Sequence, residues 1–319
     1  MNSQAIIRGV LYLTLTLLGV PGNLLVMWAF CHLALCDRKL LPADAIVLHL
    51  ASVNFLVVAV RCFLEMLAAF SIANVFNDTG CKSVIFIYRT SRALSIWLTC
   101  VLSGFQCVSI APPGSRWSGV KTHAPRYLGG IFLFLWVLNT SISSPSVVFS
   151  MGSHNDSTQM EHSINVEFCF VRFPSSTVKQ ANGAVQVVRD VVPIFLMVLA
   201  SLFILVFLYR HSQQVKSIRS AKQNQKQSAE TRAAKTVVTL VTLYVLFYGI
   251  DNVLWIYTLT VTQTMSSSLV SDLRIFFSSL YAAVSPIIII ASNKKVNSRL
   301  TCVRPEKGPQ SMDTTLSTL

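Results

Sequence analysis

The side chains best placed to do chemistry in this chain are ionisable residues embedded in long apolar runs: Arg61 and Glu65, Arg89 and Arg92, Arg189 and Asp190, Asp251, and Arg274. Charge in such a setting is costly and faces a partner, a bundle interior or a water-lined cavity. Arg61 and Glu65 stand four residues apart, so on a helix they neutralise one another. Arg89 and Arg92 lie about one helical turn apart. No Asp or Glu occurs between residues 82 and 110. A cationic amine finds no anchor along that stretch, whereas the planar guanidinium fork matches a carboxylate or another hydrogen-bond acceptor. A structural reading is equally open, in which the two arginines pair with Glu65, Asp251 or Glu167 and hold the bundle together. Asp251 itself reads either as a ligand contact or as a packing residue, and Tyr88, Trp255 and Tyr257 as pocket-lining or packing aromatics. His49 and the scattered serines form no nucleophile–base pair and no metal-ligand spacing, so neither an enzyme nor a cofactor is implied.

The elements that must position these residues follow from composition. Of 319 residues, 53% are hydrophobic and 12% charged, against about 25% charged in a soluble domain. Mean hydropathy is +0.58. A bilayer-crossing helix needs about 20 mostly apolar residues. Blocks of that kind run over 9–31, 46–70, 83–110, 127–149, 185–209, 236–260 and 271–291. Irregular backbone cannot face lipid, so each block is expected to be a helix. The expected fold is all-α: a bundle of seven transmembrane helices over residues 1–292. A cytoplasmic tail over 293–319 follows, with a short juxtamembrane helix and then disorder.

The net charge of +13 raises the question of nucleic acid, and the position of the basic residues answers it. Alternate connections hold Arg38 and Lys39, then Arg116, Lys121 and Arg126, then Arg210, Lys216, Arg219, Lys222, Lys226, Arg232 and Lys235. The tail adds Lys294, Lys295, Arg299, Arg304 and Lys307, while the opposite side holds only Arg8, Lys82, Arg172 and Lys179. The basic side is the cytoplasm, which puts the N-terminus outside. The charge is therefore a topology signal in a lipid bilayer and not a nucleic-acid footprint. The first block, after a very short N-terminus without a small-residue cleavage site, is expected to target the chain and to be its first span. Residues 210–235 lack Pro and Gly and are expected to carry the fifth and sixth helices into the cytosol around a polar stretch, Ser220 to Ser228.

Of eight cysteines, this orientation leaves only Cys81 and Cys169 in oxidising space. A bond between them ties the loop after the fourth span over the mouth of the bundle; two free thiols is the alternative. Cys302, beyond the last span, stands open between lipid attachment and no role. Sequons at Asn77 and Asn155 fall in outer loops, whereas the match at Asn139 lies inside a span and is not expected to be glycosylated. A polar Asn within a span needs an interhelical partner, and Asn23 and Asn54 are placed to be neighbours. No internal repeat supports a transporter of duplicated halves.

Gly22-Asn23, Trp136 and Pro193 fall where rhodopsin-like receptors keep them. The run Leu98-Thr99-Cys100-Val101-Leu102-Ser103-Gly104-Phe105-Gln106-Cys107 with Ser109-Ile110-Ala111-Pro112 closely resembles the vomeronasal type 1 receptors. So do Cys81-Lys82 with Arg89 and Arg92, Leu48-His49-Leu50-Ala51-Ser52-Val53-Asn54, and Ser285-Pro286. The resemblance spans nearly the whole chain, with the fish olfactory receptors related to class A as the nearest group. Departures from mainstream rhodopsin-like receptors agree with it. Phe105-Gln106-Cys107 stands in place of Asp-Arg-Tyr, Asn54 in place of Asp, and Ser285 with Ile289 in place of Asn and Tyr. The sixth span has no proline.

The resemblance implies a chemosensory receptor, at the plasma membrane of chemosensory neurons, that binds a small molecule in the outer half of the bundle. It implies a heterotrimeric G protein of the inhibitory class as partner, met by Gln106, Lys216, Arg219 and Lys235. The intramembrane charges, rather than the resemblance, place Glu65, Tyr88, Arg89, Arg92 and Asp251 in the expected ligand pocket, and an anionic or hydrogen-bond-accepting chemosignal suits the arginine pair. A retinal pigment is excluded because residues 271–291 contain no lysine for a Schiff base. A bitter-taste-type receptor, and from another class a channel or transporter, are the rival readings.

Overall fold

A computed structural model describes residues 3–37, 40–70, 77–110, 117–152, 163–165, 169–215, 224–260 and 267–292. Seven helices are long and apolar enough to cross a membrane, over Ala5–Cys36, Pro42–Leu67, Asp78–Ile110, Arg126–Phe149, Ser176–Arg210, Ala234–Tyr257 and Asp272–Ser292. They overlap all seven blocks expected from the sequence. The fifth departs most, starting at Ser176 rather than 185.

The first span is α1 (Ser3–Asp37). The second is composite: α2 (Pro42–Val57), a π-helical turn (Val58–Cys62) and α3 (Phe63–Ala69). Pro42 starts α2 because a first-turn residue needs no N–H partner, and Asp44 in the same turn complements the helix dipole. The third span, α4 (Asp78–Ile110), starts at a side-chain cap: Asn77 Oδ1 accepts the Gly80 N–H at 2.9 Å. The fourth is α5 (Trp117–Ser143), resumed as α6 (Pro145–Phe149). Pro145 cannot donate to the preceding turn, so the helix breaks there and restarts. The fifth, sixth and seventh spans are α7 (Ser176–Val215), α8 (Asn224–Thr260) and α9 (Ser267–Ser292). Helix α7 runs past the apolar block to Val215 and α8 begins at Asn224, so both helices continue beyond their apolar blocks as expected; 216–223 lie outside the described residues. Between α6 and α7, β1 (Ser150–Gly152), β2 (Ser163–Asn165) and β3 (Cys169–Arg172) form an antiparallel sheet in the order β1-β3-β2.

The helices bury a continuous core through the bundle axis: Val26 and Phe30, Leu50, Leu94, Leu98 and Leu102, Met197, Leu240, Tyr244 and Tyr248, and Tyr281. Apolar side chains also cover the outside. Leu17, Leu133, Phe134, Phe195 and Val253 are more than half exposed, which a soluble protein avoids in a contiguous belt and a lipid-facing surface requires. Close approach is visible at Gly22 on α1, where an added Cβ would lie 2.9 Å from Pro286 Cγ on α9.

Buried polar groups stitch the spans together. Asn54 donates to Ser285 Oγ at 3.0 Å and accepts from Ser95 Oγ at 2.6 Å. Asn23 donates to the backbone oxygens of Gly19 and Ala282, so its interhelical partner is α9 rather than Asn54. Each satisfies its amide against α9, the helix they share. His49 accepts the Trp136 indole N–H at 2.9 Å and stacks on Phe132; it is a contact between α2 and α5. Asn139 is buried, with its amide donated to Leu135 O, which closes it to glycosylation.

Candidate functional site

One end of the bundle carries a disulfide, Cys81–Cys169, with Cα atoms 5.8 Å apart. Cys81 lies in the first turn of α4 and Cys169 opens β3, so the bond pins the central strand of the sheet to the third span. Ile85, Val171 and Phe173 bury around it, with Phe149 and Val178 packed against them, and the Gly152 N–H donates to Asp78 Oδ1 at 2.6 Å. The sheet is thus fixed over the end of the bundle where the intramembrane charges gather.

Those charges form two networks. The first joins α1, the second span and α9. Glu65, fully buried, is ion-paired with Arg61 at 2.7 Å and with Arg8, and Arg8 also reaches Asp272 at 3.2 Å. The Arg61 guanidinium sits over the Tyr88 ring at 5.4 Å. The second network joins α4, α7, α8 and α9. Arg92 reaches Asp190 Oδ2 at 2.5 Å and Asp251 Oδ2. Asp190 also accepts from Arg189 Nε at 3.0 Å, and Asp251 also pairs with Arg274 Nε at 3.3 Å. Arg92 lies over the Tyr248 ring at 5.0 Å, and Arg274 over Trp255 at 4.0 Å. A carboxylate held by two guanidiniums satisfies more lone pairs than a single pair does, which is how buried charge is tolerated.

Arg89 differs from its neighbours. It is half-buried on α4 and makes no hydrogen bond or ion pair to a described residue. Tyr88, one position earlier, bonds Ser278 Oγ at 2.9 Å and stands between the two networks.

Several sequence expectations are redistributed by this geometry. Arg89 and Arg92 are not equivalent: Arg92 is paired with two aspartates, and Arg89 with no acid among the described residues. Glu65 is separated from them; its partners are Arg8 and Arg61, because the π-turn keeps it facing α1. Asp251 does belong with Arg92. The absence of acids along 82–110 does not keep acids from α4, since Asp190 and Asp251 arrive from other helices. Trp255 lies against Arg274, while Tyr257 faces outward. Sequence reasoning misses Arg8 and Asp272 as network members because both fall at the ends of apolar blocks. It misses Tyr244 and Tyr248 too, although their four-residue spacing places them on one helix face; their rings stack at 4.2 Å with Tyr281 edge-on.

At the opposite end, Gln106 is buried and Lys235 exposed. Lys216 and Arg219 lie outside the described residues, as do Asn155, Glu167, Cys302 and the tail 293–319. Asn77 is exposed and caps α4.

Seven lipid-facing helices, a strand disulfide-bonded across one end and a charged interior below it define a seven-helix membrane receptor. The model of the vomeronasal organ pheromone receptor family matches residues 5–302, and the chain belongs to this family. It is 42% identical over 308 residues to olfactory receptor class A-like protein 1 of Danio rerio, covering 96% of each chain. It is 27% identical over 299 residues to human vomeronasal type-1 receptor 1, covering 94% of this chain and 84% of that one. The protein is accordingly a multi-pass chemosensory G-protein-coupled receptor, not an enzyme. Membership implies a small-molecule ligand and a G-protein partner and sets the bitter-receptor and channel readings aside.

Proposed function

We propose that the receptor detects an anionic small molecule, with Arg89 as the anchor and Tyr88 beside it. The observation that carries this reading is that Arg89 has no acid among the described residues. A guanidinium within a membrane-spanning helix and without an acid is costly until an anion arrives, and an Arg–carboxylate pair recovers that cost through two parallel hydrogen bonds. Arg92 and Asp251 hold the floor of the pocket in this reading, and Glu65 is a structural neighbour rather than a contact. Ligand binding shifts the receptor only through its differential affinity for two arrangements of the bundle.

In the same reading the disulfide end faces the exterior, with the N-terminus, and Asn77 and Asn155 carry glycans. The receptor resides in the plasma membrane of chemosensory neurons. Residues 1–292 form the receptor domain and 293–319 a cytoplasmic tail. Gln106, Lys216, Arg219 and Lys235 face a G protein of the inhibitory class. Support comes from the excess of Lys and Arg on that side and from family membership.

The test is expression of the full chain with a promiscuous G protein and a screen of small organic acids against matched amines. Acids are expected to activate. Arg89→Gln should shift the potency of an acidic agonist about tenfold or more while surface expression is retained, and Arg92→Gln should mainly reduce surface expression. Unchanged responses in both variants, each present at the surface, would refute the anchor.

A further inference from the structure

The fourth and fifth spans leave a groove between them on the lipid face of the bundle. Its volume is about 410 Å³, within the range of small-molecule sites. Leu138 and Ile142 of α5 line one side, Val185 and Val188 of α7 the other, and α4 contributes Trp97. Val185 and Val188 are 53% and 61% exposed on a membrane-spanning helix, so the groove opens on hydrocarbon and is reached from the bilayer. Two side chains give this apolar slot a polar character. The Trp97 indole N–H is buried and meets no acceptor among the described residues, and an indole only donates. Arg189, also in the lining, gives its Nε to Asp190 and one Nη to Ser143 Oγ, and a guanidinium likewise has donors alone. The lining side chains therefore offer donors and no acceptor.

We propose that this groove is a second ligand site, which takes an uncharged, lipid-soluble molecule bearing a hydrogen-bond acceptor, such as an ester. Charge on the guest is disfavoured because the groove opens on hydrocarbon, where an ion is costly, and Arg189 already has Asp190. An acceptor is favoured because a buried donor left unmade costs free energy that a guest recovers. The Trp97 ring lines open space and has room to turn its N–H to that guest. A saturated acyl chain fills the slot without satisfying the donor. The guest also lies against Arg189, whose partner Asp190 pairs with Arg92, so occupancy has a route to the second network. Arg89 plays no part in this site, which stands whether or not Arg89 binds an anion.

The experiment photolabels the full-length receptor in lipid nanodiscs with a dialkyl ester carrying a diazirine, and labelled residues are mapped by mass spectrometry. Label is expected on α5 and α7 around Leu138, Ile142, Val185 and Val188. Butyl valerate and decane, chains of equal length that differ by the ester group, then compete for it. Butyl valerate should compete at about tenfold lower concentration than decane, the upper size of one neutral hydrogen bond. Comparing receptors in the same lipid cancels the partition of each competitor into the bilayer. Trp97→Phe removes the N–H and keeps an aromatic ring, and should bring the two competitors to within about threefold. Val188→Trp fills the groove from its lipid side, at an exposed position. It should remove label from Leu138 and Val185 while leaving any label elsewhere on the bundle, and it covers the case in which Trp97→Phe does not fold. Arg89→Gln should leave both the labelling and the competition ratio unchanged, which separates this site from the anion anchor. Label spread over the lipid-facing helices in proportion to their exposure, groove labelling that persists in Val188→Trp, or a ratio that Trp97→Phe does not move would overturn the inference and leave the groove to bulk lipid.

Discussion

Two buried ion networks lie at the same end of this bundle and solve the problem of intramembrane charge differently. In the network of α1, the second span and α9, Arg8 and Arg61 face Glu65 and Asp272, so each cation has an acid. In the network of α4, α7, α8 and α9, Asp190 and Asp251 serve three arginines while Arg89 has no acid among the described residues. A balanced network has no need of a guest and acts as a strut between helices. An unbalanced one leaves surplus positive charge, which the proposed anionic ligand would offset. Both networks lie near the disulfide end, and the charge count is what distinguishes them in the proposed reading.

The strongest way to break this comparison is to unbalance the first network. Glu65→Gln leaves Arg8 and Arg61 buried with their shared acid neutralised, and removal of one partner from a buried pair costs about 3–5 kcal/mol. The melting temperature of the purified receptor should fall by several degrees and surface expression should drop, with agonist potency of the surviving fraction little changed. A potency loss larger than the stability loss would place the first network in the ligand site. The next largest effect is on the other side. Arg89→Gln should weaken an acidic agonist by about 1.5–3 kcal/mol, the scale of a hydrogen bond to a charged group, and leave the melting temperature unchanged or raised. A fall in melting temperature to match Glu65→Gln would show that Arg89 has a structural partner after all. The smallest effect sharpens the boundary. Tyr88→Phe removes only the hydroxyl that meets Ser278 and should cost about 0.5–1.5 kcal/mol of stability. Its potency effect, read by dose–response, reports whether the ring between the networks touches ligand.

Much of the fold is legible in the sequence because lipid permits so few solutions: an apolar block of sufficient length is a helix. The boundaries are less so. Helix α7 begins at Ser176, well before its apolar block, because a helix continues into water without an apolar face wherever its backbone bonds stay satisfied. The Arg61–Glu65 pair is readable from its spacing, since local geometry makes i,i+4 contacts on one helix. Its third member, Arg8, is not, because nothing in the spacing of residues 8 and 65 tells which faces of two helices meet. The same gap explains Arg89 and Arg92. Three residues on a helix differ by about 60° in direction, enough to turn one side chain to α7 and α8 and the other away from both aspartates. Which of them is occupied depends on helix rotations that composition does not encode. The π-turn Val58–Cys62 is a further case: one widened turn redirects Glu65, and no proline or glycine within it signals the change.

If Arg89 reads a negative charge on the ligand, crossing ligand chemistry with receptor mutation tests it most directly. An acidic agonist and its neutral primary amide should be compared on the unaltered receptor and on Arg89→Gln. On the unaltered receptor the acid should be more potent by about tenfold or more, and on Arg89→Gln the two should converge to within about twofold, the signature of direct coupling in such a cycle. An acid-to-amide ratio that stays the same in both receptors would contradict the claim.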